Sequence, residues 1–168
     1  FGHKSRICYS KIELVQNISQ IDHPMVRECL RYLKIHEGVE IHHNADLPAR
    51  TGIGSSSSFT VGLLHCLYSL KGQMVDKPRL YQDAIHLEQK VLNENVGSQD
   101  QISVACGGLN YIKFDTTDAV SIHPLIIPQE RLMLFQSHLL LFYTGVSRTA
   151  SSIAAEQIKN IPGKRQEL

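Results

Sequence analysis

The chain has 168 residues, 42% apolar and 20% charged, a composition that buries a core and excludes disordered, collagen-like and low-complexity classes. Seventeen Lys and Arg against sixteen Asp and Glu leave a formal charge of +1, too little for a general nucleic-acid or anionic-membrane surface. No apolar run approaches the roughly 18–20 residues of a membrane span, and the opening Phe-Gly-His-Lys-Ser-Arg lacks the apolar segment of a secretory signal.

In chain order, residues 6–9 read as a short strand. Asp22-His23-Pro24 starts a helix, with Asp22 as its cap, Pro24 in the first turn, and Val26, Cys29, Leu30 and Leu33 at helical spacing before Gly38. Residues 39–45 alternate as a strand. A Gly/Ser-rich loop, 46–58, runs into an apolar helix over 59–70 that Lys71-Gly72 closes. Residues 78–95 are predicted as one long amphipathic helix, and Ser98 caps a second over 99–105 that ends at Gly107-Gly108. Segments 109–114 and 119–123 read as a hairpin around the turn 115–118. Residues 139–143 are expected as a strand opening into 144–149, with a helix from Ala150. Strict βαβ alternation is lacking, so the fold class is α+β.

Cys8, Cys29, Cys66 and Cys106 are far apart and form no C-x-x-C pair. They are expected as small buried hydrophobes in a reducing, cytoplasmic setting, with a disulfide framework as the lesser reading. His42-His43, the one close histidine pair, points to opposite faces of a strand, so a zinc site is not expected.

Three features carry chemistry. The first is Gly52-x-Gly54-Ser55-Ser56-Ser57-Ser58, at a strand-to-helix junction. Glycines let backbone amides approach an anion, and the helix N-terminus favours negative charge. A plain Ser N-cap would explain one serine of the four, and no Gly-Lys-Ser/Thr follows, so this is not a Walker A loop. The second feature is Glu88. At 100° per residue, Leu80, Tyr81, Ala84, Ile85, Leu87, Val91 and Leu92 fall in one arc with Glu88 near its middle, whereas Gln82, Asp83, His86, Lys90 and Asn93 fall outside it. A carboxylate facing a core needs a cation, either Mg²⁺ or an Arg or Lys side chain. The third is Asp100, delivered by a glycine turn to the first turn of a helix, where it is either a helix-start charge or a general base.

Pro48-x-x-x-Gly52-x-Gly54-Ser55-Ser56 resembles the phosphate-binding motif of the GHMP kinases. The resemblance implies that Pro48, Gly52, Ile53, Gly54 and Ser55 to Ser58 wrap the phosphates of ATP. It further implies that Ser56 and Glu88 hold Mg²⁺, and that Asp100 contacts the hydroxyl receiving the phosphate. Asp46 to Leu64, Gly97 to Gln101, Gly107 to Phe114, Phe142 to Ser151, Tyr9 to Leu14 and His23-Pro24 are similar to the sugar 1-kinase branch acting on D-glycero-D-manno-heptose 7-phosphate; fucose-type 1-kinases share much of this pattern. That branch implies a sugar phosphate and ATP as partners, with no nucleic acid and no membrane. Arg148 would pair with a substrate phosphate, with Thr144 and Ser147 as weaker candidates.

The fold so implied is the GHMP N-terminal domain, itself similar to a ribosomal-protein domain. It would occupy residues 1–145 in part, and 146–168 would begin the connection to a ferredoxin-like C-terminal domain. The family's first strand and its third, glycine-rich motif have no counterpart in the sequence, so a fragment that turns over poorly alone is expected. A non-catalytic nucleotide- or sugar-phosphate-binding module is the second hypothesis.

Overall fold

The computed structural model describes residues 2, 4–46, 52–117, 119–142, 156 and 158–163. A three-stranded sheet has the order β2–β1–β3: β1 (Ser5–Cys8) lies between antiparallel β2 (Ile12–Val15) and parallel β3 (Glu40–His42). β2 is absent from the predicted strands because its polarity is inverted. Glu13 points inward and is buried, while Ile12 and Leu14 face out at 63% and 56% exposure. The inward carboxylate is satisfied, accepting from the Tyr9 hydroxyl (2.8 Å) and the amides of Asp22 (2.6 Å) and His23 (3.1 Å).

Those amides lead into α1 (Pro24–Tyr32). Its cap is His23, whose Nδ1 accepts from the Val26 amide, and not Asp22. Buried Met25, Val26, Cys29 and Leu30 turn α1 toward α2 (Ser55–Leu70), which starts inside the serine run and buries Val61, Leu64 and Leu67. Burial of such side chains supplies about 1.5–3 kcal/mol each.

The predicted helix over 78–95 is two windings. Asp76 caps α3 (Lys77–Ile85) by accepting from the Arg79 amide, and a single π turn (His86–Val91) follows. The Leu92 amide donates to the Leu87 carbonyl five residues back (2.9 Å). The extra residue in that turn shifts the helical phase, so Val91 is 37% exposed and Leu92 packs on the core in its place. α4 (Gln99–Cys106) packs on α2 and α3.

The expected hairpin forms as β4 (Asn110–Phe114) and β5 (Val120–Pro124). α5 (Gln129–Ser137) was not anticipated; its first turn follows Pro128, and it buries no residue. The strand expected at 139–143 is not formed over 139–142, where Leu140 and Leu141 are more than 80% exposed. Of the helix expected from Ala150, Glu156 and residues 158–160 are helical, and a 3₁₀ turn (Ile161–Gly163) ends it. All four cysteines are free thiols, and no helix among the described residues is long and apolar enough to cross a membrane.

Candidate active site

The site is assembled at the N-terminus of α2. Gly52 (φ +77°) and Gly54 (φ +74°) both adopt the left-handed backbone, which glycine reaches without a Cβ clash. Gly54 stands at the N-cap, and no side chain caps α2, unlike α1 and α3 with His23 and Asp76. The first-turn amides of α2, with the positive end of the helix dipole, therefore face out as an anion cradle.

Asp100 reaches this cradle from the first turn of α4. A Cβ placed on Gly54 would lie 3.3 Å from both Cγ and Oδ2 of Asp100, whereas one on Gly52 would meet nothing within 4 Å. Gly54 is thus required twice, by its dihedral and by the carboxylate packed against it. Asp100 itself is exposed, free to meet a bound molecule.

Glu88 approaches from the π turn and is fully buried. Its Oε2 accepts from the Ser57 hydroxyl at 3.2 Å and from the carboxamide of Gln101, while its Oε1 is buried without a partner. Ser57 is 5% exposed and Ser56 is exposed, so Ser57 is the serine that the helix turns toward the acid. Among the described residues no Lys or Arg pairs with Glu88, which leaves the side-chain-cation alternative without support. The Cys29 thiol is pushed up to about 12 by burial and by the charge of Glu88. Glu94 has its carboxyl raised by burial and by the same charge. Glu88 therefore sits in a pocket of negative potential that lacks a counter-charge.

A buried carboxylate oxygen without a donor, beside a serine hydroxyl, is a hard oxygen set of the kind Mg²⁺ takes. Mg²⁺ is held through one or two carboxylates together with substrate phosphates, so a single buried acid beside an anion cradle fits it. No group of three or more His, Cys, Asp or Glu able to hold a metal occurs among the described residues. Pro48, Thr144, Ser147 and Arg148 lie outside the described residues.

Sequence reasoning missed Gln101 and Asp83. Gln101 is fully buried although its neighbour Asp100 is exposed; its place beside Ile102 on the inward arc of α4 was the available signal. Asp83, assigned to the polar face, is 4% exposed and accepts from Tyr32 Oη (2.7 Å), Tyr68 Oη (2.5 Å) and Arg79 Nε (2.8 Å). With three donors it is a saturated structural tie among α1, α2 and α3. On the other side of α2, Phe59 packs against the rings of His23 (5.0 Å) and His43 (4.5 Å), and His23 meets Tyr9 edge-on at 4.9 Å. These contacts brace the helix that carries the serines.

The arrangement is that of an α+β domain organised around an anion-binding helix N-terminus, with one exposed and one buried acid beside it. Residues 13–108 match the family described as the GHMP kinases N terminal domain. The chain belongs to the GHMP kinase family. It is 26% identical over 113 residues to a D-glycero-alpha-D-manno-heptose 7-phosphate kinase of Campylobacter jejuni, covering 67% of this chain and 33% of that protein. It is 30% identical over 128 residues to an L-fucokinase/L-fucose-1-P guanylyltransferase of Bacteroides fragilis, covering 74% of this chain and 13% of the relative. With a galactokinase of Pyrococcus furiosus it shares 29% identity over 116 residues, 69% of this chain and 31% of the relative. The fold matches the crystal structure of a D-glycero-D-manno-heptose 1-phosphate kinase from Bacteroides thetaiotaomicron with a TM-score of 0.66 and 23% identity, over 76% of this chain and 45% of that one. The chain spans a third or less of the length of these curated relatives.

Proposed function

We propose that the chain carries the phosphate-transfer site of an ATP-dependent sugar kinase acting on the anomeric hydroxyl of D-glycero-D-manno-heptose 7-phosphate to give the 1,7-bisphosphate. The observation that carries this reading is the packing of Asp100 on Gly54, which puts an exposed carboxylate beside an open helix N-terminus. Family membership and the heptose phosphate kinase relative support it.

In this reading Pro48, Gly52, Ile53, Gly54 and Ser55 to Ser58 cradle the triphosphate through backbone amides and hydroxyls. Asp100 orients the sugar hydroxyl and accepts its proton while the hydroxyl oxygen bonds to the γ-phosphorus. The bond from that phosphorus to the β–γ bridging oxygen breaks, and ADP leaves. Ser56 or Ser57, with Glu88, would hold Mg²⁺, which supplies charge neutralisation across the β- and γ-phosphates. Arg148, with Thr144 and Ser147, would recognise the substrate phosphate. Use of ATP and a sugar phosphate, with four free thiols, favours a cytoplasmic setting.

The test is ATP-dependent phosphorylation of the heptose 7-phosphate, run on this chain and on a form extended at both ends. Turnover with the heptose in either form supports the reading. ATP binding with no turnover in both refutes it. The identity to the fucokinase makes L-fucose the second acceptor to assay, and a preference for it would reassign the substrate while keeping the chemistry.

A further inference from the structure

The carboxamide–carboxylate unit formed by Gln101 and Glu88 leaves two oxygens unsatisfied, Oε1 of each, both buried. A carboxylate only accepts, so the Gln101 atom facing it is the amino group, and the carboxamide oxygen necessarily turns away. Gln101 therefore occupies Oε2 and leaves Oε1 as the acceptor for whatever completes the site. Its backbone neighbour is Asp100, whose side chain rests on Gly54, so one turn of α4 is anchored to both acids of the site. An unpaired carboxylate oxygen in a core is costly to the protein alone; the cost is relieved when a cation arrives.

We propose that Gln101 is a positioning residue for the divalent cation: by holding Oε2 of Glu88 it turns Oε1 toward the cation and fixes that carboxylate relative to Asp100. This rests on the kinase reading above, in which Glu88 is a metal ligand. Partners of metal ligands of this kind typically contribute about 10- to 100-fold in metal affinity.

The test is a Mn²⁺ titration of the full chain with ADP present, followed by electron paramagnetic resonance, beside ADP affinity measured in EDTA. Gln101→Met is expected to weaken Mn²⁺ binding about tenfold with metal-free ADP affinity unchanged. In a Glu88→Gln background the same substitution is expected to change Mn²⁺ affinity by no more than about twofold, because the residue acts through Glu88. Should Gln101→Met fail to fold, Gln101→Lys keeps a donor on the carboxylate and is expected to fold while excluding Mn²⁺. If Glu88→Gln abolishes Mn²⁺ binding and Gln101→Met leaves it within about twofold, or Gln101→Lys still binds Mn²⁺, the inference is overturned and the kinase reading stands. If Glu88→Gln itself has no effect, both fall.

Discussion

Replacing Gly54 by alanine separates backbone strain from displacement of the acid. At φ +74° an alanine Cβ costs about 1–2 kcal/mol. Gly52→Ala carries the same penalty at φ +77°, with nothing near its Cβ. The two variants should therefore lose similar stability, read as the shift in urea midpoint at constant slope. They differ at Asp100. The new methyl at position 54 would stand 3.3 Å from the carboxylate carbon, against about 3.5–4.0 Å for a relaxed contact, so Asp100 must move by about 0.2–0.7 Å. If misplacement of a reacting group by 1 Å costs about 10²-fold, this displacement costs about tenfold in kcat. Gly54→Ala should thus lower kcat about tenfold beyond Gly52→Ala, with KM for ATP raised in both. Equal kcat values in the two variants, in a preparation that turns over, would show that Asp100 does not act from the position it holds on Gly54.

Asp100→Asn should lower turnover by about 10²- to 10⁴-fold with nucleotide affinity unchanged; loss of ATP binding would assign the residue to the cradle and not to the acceptor. Asp83→Ala removes the acceptor of two tyrosine hydroxyls and of Arg79, and should cost about 3 kcal/mol in urea unfolding; a loss under about 1 kcal/mol would mean that the tie is not structural. The Tyr9–Glu13 pair predicts instability at both ends of the pH scale. Burial opposes ionisation of Glu13, but its hydrogen bonds from Asp22, Tyr9 and His23 hold its carboxyl below 4.5, so its contribution is present above that value and is lost on acidification through the lower folded value. Tyr9 is pushed up to about 12, chiefly by burial and the bond to Glu13, so its contribution is intact below 10 and is lost between 10 and 12. Glu13→Gln should flatten the acid limb of a Tm–pH profile and Tyr9→Phe the alkaline one; unchanged limbs would refute the assignment.

The local chemistry was legible because it is written in adjacent residues. Gly52, Gly54 and the serines announce a helix N-terminus, and Asp100 follows its glycine turn. Burial of Glu88 followed from a constant advance of 100° per residue up to position 88. Past it that assumption failed, since the π turn exchanges Val91 for Leu92, and periodicity contains no term for a change of winding. Glu13 and Asp83 misled for a different reason. Polar side chains are assigned to solvent by default, and the donors that draw these two inward come from Tyr9, Tyr32 and Tyr68, partners that only the fold brings close. The apolar run at 139–142 reads as a strand, yet pairing depends on a neighbouring edge, and none among the described residues takes it up.

The π turn also means that the buried acid owes its location to spacing as much as to identity. Between Ala84 and Leu92, both on the core, the chain holds one residue more than regular α winding would place there. Deleting a solvent-facing residue such as Lys90 would let the helix wind regularly and keep both ends packed, while turning the segment around position 88 to a new angle. The protein could then gain helical regularity and lose its cation ligand in a single step. Stability would not report the damage, because the quantity disturbed is the phase of the helix at Glu88.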